Sequence, residues 1–246
     1  MKWKDHVRIA KLVAKTFRLP VQPFTEGAVA PDKFKEKEVY FTASGRIRVK
    51  TKPHHIKNIK KIMRELKTAR KLYLDGRITE LSYRLGIALH YIQDACTGKG
   101  FLGLFHGSVE NGISTLEIPE EAIQAGLMDY QPHPFKLKKA LKTLKSSNNP
   151  NKILWNATYY SFLAAKSVLE LGDRDSAIEE AEKLNRKMKK SLLAVLPVNL
   201  VMLFTAFLTA SIEAFTAFLV TLILYAIPLH FRSKKRELKE WFKLPA

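Results

Sequence analysis

The stretch Gly86–Ala95, GIALHYIQDA, decides the fold, because it combines an apolar helical pattern with two ionisable side chains. Leu89 and Ile92 continue an apolar stripe at helical spacing, and the same stripe carries His90 and Asp94. Helical residues four positions apart share a face, so the two polar side chains point to the same place. An unpaired charge there would be costly. The pair therefore either forms a hydrogen bond between core helices or grips a metal ion.

More residues of ligand type lie on both sides of this helix. The segment FHGSVEN, residues 105–111, places a second histidine and carboxylate four residues apart, and further candidates precede the helix. Zinc is bound in proteins by this mixture of imidazole and carboxylate groups, and several converging ligands would indicate more than one ion. The candidate metal ligands are His6, Asp32, His54, His55, His90, Asp94, His106 and Glu110.

The composition limits the class of protein and its partners. The 246 residues carry a formal net charge of +19, which attracts phospholipid head groups, nucleic acid or phosphate esters, or else forms a solvated basic surface. The single cysteine, Cys96, excludes an intrachain disulfide. With 11 glycines and 11 prolines, the chain is poor in turn residues, which argues against a β-sandwich.

The apolar periodicity predicts an all-α fold. Four prolines predict an irregular segment over residues 17–55, and within it VYFTASGRIRVK favours a short β-hairpin that turns at Ser44 and Gly45. Helices are predicted at residues 5–17, 56–74, 78–96, 104–116, 135–146, 151–171 and 174–190. The first helix is amphipathic and lacks the uninterrupted apolar core of a signal peptide, so we expect the chain to begin folded at residue 1.

The C-terminal region is strongly apolar. Residues 191–231 carry one charged side chain, Glu213, and suffice for two membrane-spanning helices of about 20 residues each. The flanks NRKMKK and RSKKRELK are both basic and favour the cytoplasmic side, which requires an even number of crossings. We predict a C-terminal transmembrane hairpin in a multi-pass protein of the cell membrane; the alternative is a pair of buried core helices. The predicted domains are a cytoplasmic domain at 1–190, the hairpin at 191–231 with spans at about 192–211 and 214–231, and a basic tail at 232–246.

Two segments carry a family resemblance. GRITELSYRLGIALHYIQDA, residues 76–95, followed by FHGSVEN, resembles the zinc-dependent phospholipase C family, whose all-α fold is shared with the single-strand-specific zinc nucleases. The family signature contains a Leu-His-Tyr run, an aspartate four residues after that histidine, and a later Phe-His with Glu and Asn. The similarity covers most of residues 1–115. It implies a multi-helix zinc phospholipase C-like domain that hydrolyses phosphodiesters.

The resemblance also implies ligand roles at a central zinc. His90 and Asp94 would bind this ion together with Asp32 and with one of His54 or His55.

A neighbouring zinc would share Asp94 with the central ion and take His6. In the family, the amino group of the terminal residue, usually tryptophan, also binds this ion. Here Trp3 is not terminal, so the amino group of Met1 is the candidate ligand.

A third zinc would belong to His106 and Glu110. The family places a further histidine six residues after the aspartate, where this chain has Gly100, and the nearby Lys99 would repel a cation. This third site therefore lacks a ligand unless another residue, such as His133, completes it. We expect two zinc ions.

These features predict a membrane-anchored, zinc-dependent phospholipase C-type hydrolase. It would act on phospholipid or a lipid-linked phosphate through metal-activated water, with Asp32 as the catalytic general base. The basic helix 56–74 is expected to face anionic lipid, and Trp241 and Phe242 to lie at the membrane interface. Two alternatives stay open: a nuclease-like phosphodiesterase that binds single-stranded nucleic acid, and a non-catalytic membrane-anchored metal-binding protein.

Overall fold

The computed structural model describes residues 1–34, 37–41, 47–51, 57–98, 106–209, 216, 219 and 225–245, with only the backbone at 37–41, 47–51, 106–108, 206, 207 and 209. It divides into two compact units, Met1–Glu170 and Leu171–Ala246. The elements of the first unit are α1 Trp3–Thr16, α2 Val21–Lys33, β1 Lys37–Phe41, β2 Ile47–Thr51, α3 Ile59–Leu74, α4 Ile78–Cys96, α5 His106–Thr115, α6 Glu120–Met128, α7 Pro134–Thr143 and α8 Pro150–Leu169. Those of the second unit are α9 Arg174–Thr209 and α10 Ala226–Phe242.

The described residues confirm the predicted helical character. The six helices predicted between residues 5 and 171 agree with α1, α3, α4, α5, α7 and α8 to within three residues at each end, and α6 is an addition to that pattern. The hairpin is also confirmed, because β1 and β2 pair antiparallel with Lys37 opposite Thr51 and Phe41 opposite Ile47. Its predicted turn at Ser44 and Gly45 lies outside the described residues.

Helix α2 corrects the prediction of an irregular segment over residues 17–55. Pro20 is the N-cap and Pro23 lies in the first turn, where backbone N–H groups have no partner within the helix. Pro31 lies in the last turn, two residues before the helix ends. Two of these prolines therefore lie at the start of the helix, where they are tolerated, and the third lies close to its end.

Helix α4 is the centre of the first unit, and it packs against α1, α2, α3 and α8. Leu81, Leu85, Leu89 and Ile92 are fully buried along it, and every residue from Ala88 to Cys96 is buried. Because water is excluded around the end of this helix, any polar side chain there needs a partner inside the protein.

Helices α2 and α4 cross at two glycines. A Cβ atom on Gly86 would overlap the carbonyl oxygen of Phe24, and a Cβ atom on Gly27 would overlap that of Tyr83. Only glycine permits two helix backbones to approach this closely. The crossing brings the α2 backbone within hydrogen-bonding distance of side chains on α4.

Helix α3 is the predicted basic helix, but its charges do not form one surface. Arg70 is 1% exposed and donates to the carbonyl oxygens of Val168 and Glu170 at 2.6 and 2.8 Å, so it caps the end of α8. Lys57 Nζ donates to two backbone carbonyl oxygens at the end of α7. The prediction of a lipid-facing helix is therefore wrong for Arg70, and Lys57 serves a contact within the unit.

The second unit is an antiparallel pair of helices. Arg174, at the start of α9, donates to the carbonyl oxygen of Lys243, just after α10, at 3.5 Å. Further along α9, Asn185 Oδ1 accepts from Lys235 Nζ at 2.9 Å. Residue numbers thus rise along α9 while they fall along α10 at the same contacts, so the two helices run in opposite directions.

Helix α9 continues without a break through residues 190–192, where separate helices were predicted. Among the described residues, its segment Arg174–Thr205 is the one helix that is long and apolar enough to cross a membrane. Large apolar side chains are exposed along α9 from Leu192 to Leu208. Half of the second predicted span, 214–231, lies outside the described residues, so the transmembrane hairpin and the domain limits stay predictions.

Helix α10 includes most of the predicted basic tail, residues 232–246. Within it, Trp241 and Phe242 are 1% and 7% exposed, so protein atoms cover both rings. Their predicted position at a membrane interface is therefore wrong. The amphipathic spacing of apolar residues among the lysines and arginines of α10 explains why a basic segment forms a packed helix.

Replacing Gly86 with alanine tests the close crossing of α2 and α4. The added methyl group would overlap backbone atoms that cannot rotate away, so we expect the free energy of unfolding to fall by about 3 kcal/mol. Chemical denaturation followed by circular dichroism measures this loss. The control is Gly76→Ala, whose methyl group would meet nothing within 4 Å and costs about 1 kcal/mol for the positive φ alone. Equal losses in the two variants would contradict the crossing.

Candidate metal centre

Helices from four parts of the first unit bring potential metal donors together. His6, His90 and Asp94 offer ligand atoms that lie within 4.8 Å of one another, and all three side chains are buried. Further donors surround this group at the end of α2, in α5 and at the amino group that precedes α1. The donors brought together are Met1, His6, Asp32, His90, Asp94 and Glu110.

The carboxylate of Asp94 lies at the centre of this cluster, because each of its two oxygens faces a different set of donors. Oδ2 lies 3.1 Å from His90 Nε2, and the same nitrogen lies 3.7 Å from Asp32 Oδ1. Oδ1 lies 3.3 Å from His6 Nε2 and 3.3 Å from the Met1 amino nitrogen. That nitrogen in turn lies 3.4 Å from Glu110 Oε1. The cluster thus has one set of donors on each side of a shared carboxylate.

The opposite nitrogen of each imidazole ring is held by the protein. His90 Nδ1 lies 2.8 Å from the carbonyl oxygen of Ala28, which can only accept, so Nδ1 carries the proton. His6 Nδ1 lies 2.7 Å from Gln93 Oε1, and Gln93 Nε2 donates to Ser161 Oγ at 3.0 Å. This chain of bonds orients the Gln93 amide and makes His6 Nδ1 a donor as well. In the neutral rings, both Nε2 atoms therefore turn a lone pair toward the carboxylates.

Lone pairs of nitrogen and carboxylate oxygen repel at such distances unless a proton or a metal ion lies between them. Burial lowers the pKa of His6, and the adjacent His90 lowers it further, although Asp94 opposes both effects. The two rings are stacked with their centroids 4.3 Å apart, so charging both would place two cations in contact. His6 Nε2 makes no hydrogen bond at its 3.3 Å distance from Asp94 Oδ1. A bound cation satisfies this arrangement better than protonation does.

The donor set fits zinc in type and in spacing. Two ligand atoms at about 2.0–2.1 Å from a tetrahedral zinc ion are about 3.3 Å apart. The separations are 3.1 to 3.3 Å from the Asp94 oxygens to their nitrogen partners and 3.7 Å from His90 Nε2 to Asp32 Oδ1. Imidazole nitrogen and carboxylate oxygen are both zinc ligands. The three carboxylates of the cluster outweigh its one ammonium group, so the centre is acidic in a protein whose net charge is +19.

A second buried carboxylate fixes the position of α5 and hence of Glu110. Asp5, which is 1% exposed, accepts from Ser114 Oγ at 2.8 Å and pairs with Arg8. Arg8 donates to the carbonyl oxygens of Ile113 and Leu116 at 3.3 and 2.7 Å. These contacts tie the end of α5 to α1. Asp5 is consequently occupied by structural partners and stands apart from the metal donors.

The predicted site residues divide into those that the structure brings together and those that it does not describe. His6, Asp32, His90, Asp94, Glu110 and the Met1 amine converge, as the two measured sets of donors show. His54, His55 and Gly100 lie outside the described residues, and only the backbone of His106 is described. His133 is the N-cap of α7, where its ring accepts from the Phe135 amide. The roles of His54, His55, His106 and His133 as metal ligands stay predictions.

Sequence reasoning missed the groups that orient the histidines. The Ala28 carbonyl has no sequence signature, because any residue on that turn of α2 supplies a carbonyl group. Gln93 offered a weak signal, since an amide on the buried end of α4 needs an internal partner. Ser161, its partner on α8, is 68 residues away, and no local pattern connects them.

Comparison with known protein families agrees with this geometry. A mainly helical unit with buried imidazole and carboxylate donors fits a metal-binding protein. Residues 5–124, from α1 into α6, match the family described as zinc dependent phospholipase C. The match covers just under half of the chain and confirms the predicted resemblance to this family. No curated protein and no solved structure matched the chain.

The match with this family indicates a phospholipase-type hydrolase that depends on zinc. The matched segment contains His6, Asp32, His90, Asp94 and Glu110. The number of ions, the substrate and the membrane anchor stay predictions.

Replacing Gln93 with methionine tests the orientation of His6. Methionine has a similar volume but cannot hold the ring nitrogen, so we expect zinc affinity to fall about 10- to 100-fold. Competition with a chromogenic chelator measures the affinity. Gln124→Met makes the same change on the exposed face of α6 and should leave affinity unchanged. Identical affinities in the two variants would show that Gln93 does not support the metal centre.

Proposed function

We propose that this protein is a membrane-anchored, zinc-dependent phosphodiester hydrolase of the phospholipase C type, acting on a phospholipid. The observation that carries the proposal is the buried Asp94 carboxylate, whose two oxygens face separate sets of donors within the segment that matches the family.

Two metal positions are proposed, one on each side of Asp94. His90 and Asp32 would complete the position at Oδ2, together with His54 or His55. His6 and the Met1 amine would complete the position at Oδ1. The donor separations of 3.1 to 3.7 Å support both positions. Glu110 lies beside the amine and would join the second position or an additional weak one.

Zinc bound here supplies Lewis-acid polarisation of the phosphoryl oxygens and lowers the pKa of a bound water. The residues of the chain perform the remaining work. Asp32 is 13% exposed while His6 and His90 are fully buried, so Asp32 faces the side from which solvent and substrate arrive. In this proposal its carboxylate would accept the proton of the attacking water. The Ala28 carbonyl and Gln93 hold the two rings in one tautomer throughout.

The second unit is the proposed membrane anchor. Leu193, Val201 and Phe204 are 74%, 63% and 64% exposed on α9, which is unfavourable in water and favourable in lipid. Because α9 and α10 are antiparallel, the end of α10 lies beside the start of α9. Both ends would then be on the same side of a membrane, which supports a hairpin. Basic side chains flank the apolar part on both helices at the contact of Asn185 with Lys235. Basic flanks favour the cytoplasmic side.

A hydrolysis assay on vesicles tests the chemistry. We expect the zinc-loaded full-length protein to release a phosphorylated head group from phospholipid. Asp32→Asn should lower the rate at saturating zinc by a factor of about 100 or more, because it removes the proton acceptor. His90→Ala should lose both zinc and activity. Asp175→Asn, on the exposed start of α9, is the matched control and should keep full activity.

Three results would contradict this function in different ways. Cleavage of single-stranded DNA without cleavage of lipid would favour the nuclease. Full zinc binding with neither activity would favour the non-catalytic metal-binding protein. Full activity of Asp32→Asn would remove Asp32 from the mechanism.

Cysteine labelling of the full-length protein tests the hairpin. Burial raises the pKa of the Cys96 thiol, so the natural cysteine should remain unlabelled by a membrane-impermeant maleimide. Lys187→Cys and Ser233→Cys lie on exposed positions of α9 and α10 and should label from the same, cytoplasmic side. Ser211→Cys should label only from the opposite side. Labelling of positions 187 and 233 from opposite sides would exclude an even number of crossings.

A further inference from the structure

A basic pocket adjoins the metal centre between α2, α3 and α4. Its cavity volume is about 200 Å³. Three cationic side chains, one carboxylate and aromatic rings form its lining. The residues that the argument uses are Pro31, Lys61, Arg64, Glu65, Arg84 and Tyr91.

The carboxylate in this pocket does not cancel its positive charge. Glu65 is nearly buried, with 7% of its side chain exposed, and accepts from two arginines. Arg64 donates through Nε and Nη2 to Oε1 at 3.1 and 3.0 Å, and Arg84 donates through Nη1 to Oε2 at 3.3 Å. Two guanidinium groups thus share one carboxylate, and Lys61 adds a third cation. The three cations and one carboxylate therefore give the lining a net charge of +2.

The arginines remain accessible to an incoming anion. The side chains of Arg64 and Arg84 are 65% and 47% exposed, whereas Glu65 holds them from below. Their contact with Glu65 fixes the planes of both guanidinium groups, so less conformational entropy is lost when an anion binds.

One aromatic ring connects this pocket to the metal centre. Lys61 Nζ lies 4.3 Å from the centroid of the Tyr91 ring. The same ring meets His90 edge to face, with centroids 5.7 Å apart. Pro31, which also lines the pocket, directly precedes Asp32. A small molecule whose phosphodiester lies at the metal donors can therefore place a neighbouring group in the pocket.

We propose that this pocket binds a phosphomonoester on the head group, next to the phosphodiester that is cleaved. This inference rests on the proposed hydrolase function and names its substrate class, a phospholipid with a second phosphate. In the reaction, water forms a bond to the diester phosphorus, the bond from phosphorus to the diacylglycerol oxygen breaks, and that oxygen takes the proton. Both phosphates leave on the released head group.

The charge of the pocket disfavours a choline head group. Three cations on the lining would repel a quaternary ammonium group, despite the aromatic rings that could otherwise contact it. A phosphomonoester, with a charge near −2 at neutral pH, gains charge-assisted hydrogen bonds from the same side chains.

Competition within one vesicle tests the pocket. Phosphatidylglycerol and phosphatidylglycerol phosphate differ by one phosphomonoester, and their water-soluble products can be counted separately. Because both lipids share the same surface, the product ratio is independent of how tightly the protein binds the vesicle. We expect the wild type to prefer the phosphorylated lipid about tenfold and Lys61→Gln to abolish that preference, as loss of a charged hydrogen bond predicts. Lys60→Gln, the exposed neighbour on α3, is the control and should keep the preference.

Direct binding of glycerol 3-phosphate to the zinc-loaded protein separates this inference from the function on which it rests. If the wild type cleaves neither lipid, but Lys61→Gln binds glycerol 3-phosphate about tenfold more weakly than Lys60→Gln does, the lipase function fails and the pocket stands. If wild type and Lys61→Gln show the same lipid ratio and the same affinity, the pocket is wrong and the Lys61–Tyr91 contact is only structural. Circular dichroism confirms that each variant is folded.

Discussion

The buried carboxylate of Asp94 is the constraint on which the first unit depends. Its side chain has no exposure to solvent, and a carboxylate in that position is unstable by several kcal/mol without compensating positive charge or hydrogen bonds. The Met1 ammonium group supplies one such contact at Oδ1, and a cation held between the carboxylate and the ring nitrogens of His6 and His90 would supply the rest. The contacts that pack α1 against α4 are therefore the same contacts that bring the metal donors together.

Precision at this centre comes from backbone as much as from side chains. The glycine crossing of α2 and α4 allows the Ala28 carbonyl to reach His90 Nδ1, since a methyl group at Gly27 or Gly86 would hold the helices apart. On the other side, Gln93 links His6 to Ser161 of α8. Each ring is thus held at the nitrogen that faces away from the metal donors. Such support is what keeps a metal site in its working geometry when substrate enters.

The sequence predicted the parts of this protein that depend on local periodicity. The limits of α4 and the shared face of His90 and Asp94 follow from helical spacing, and the structure confirms both. The helix α2 was missed, because prolines at helix ends resemble helix breakers when the neighbouring turns are unknown. Arg70 was misassigned since its charge, read from the sequence, gives no sign of the α8 carbonyl groups that it caps. The basic pocket was also beyond prediction, because its walls come from three helices whose approach is a matter of tertiary packing.

The described donors around Asp94 are all nitrogen or oxygen atoms, and the chain has one cysteine, Cys96. That thiol follows the ligand helix, is fully buried, and donates to the Ile92 carbonyl at 3.3 Å. Burial raises its pKa, which keeps it in the protonated, unreactive form. In the part that the structure describes, the candidate centre thus has no thiolate ligand that peroxide or disulfide exchange could remove. Its metal occupancy should follow the supply of zinc and remain indifferent to the redox state of the compartment.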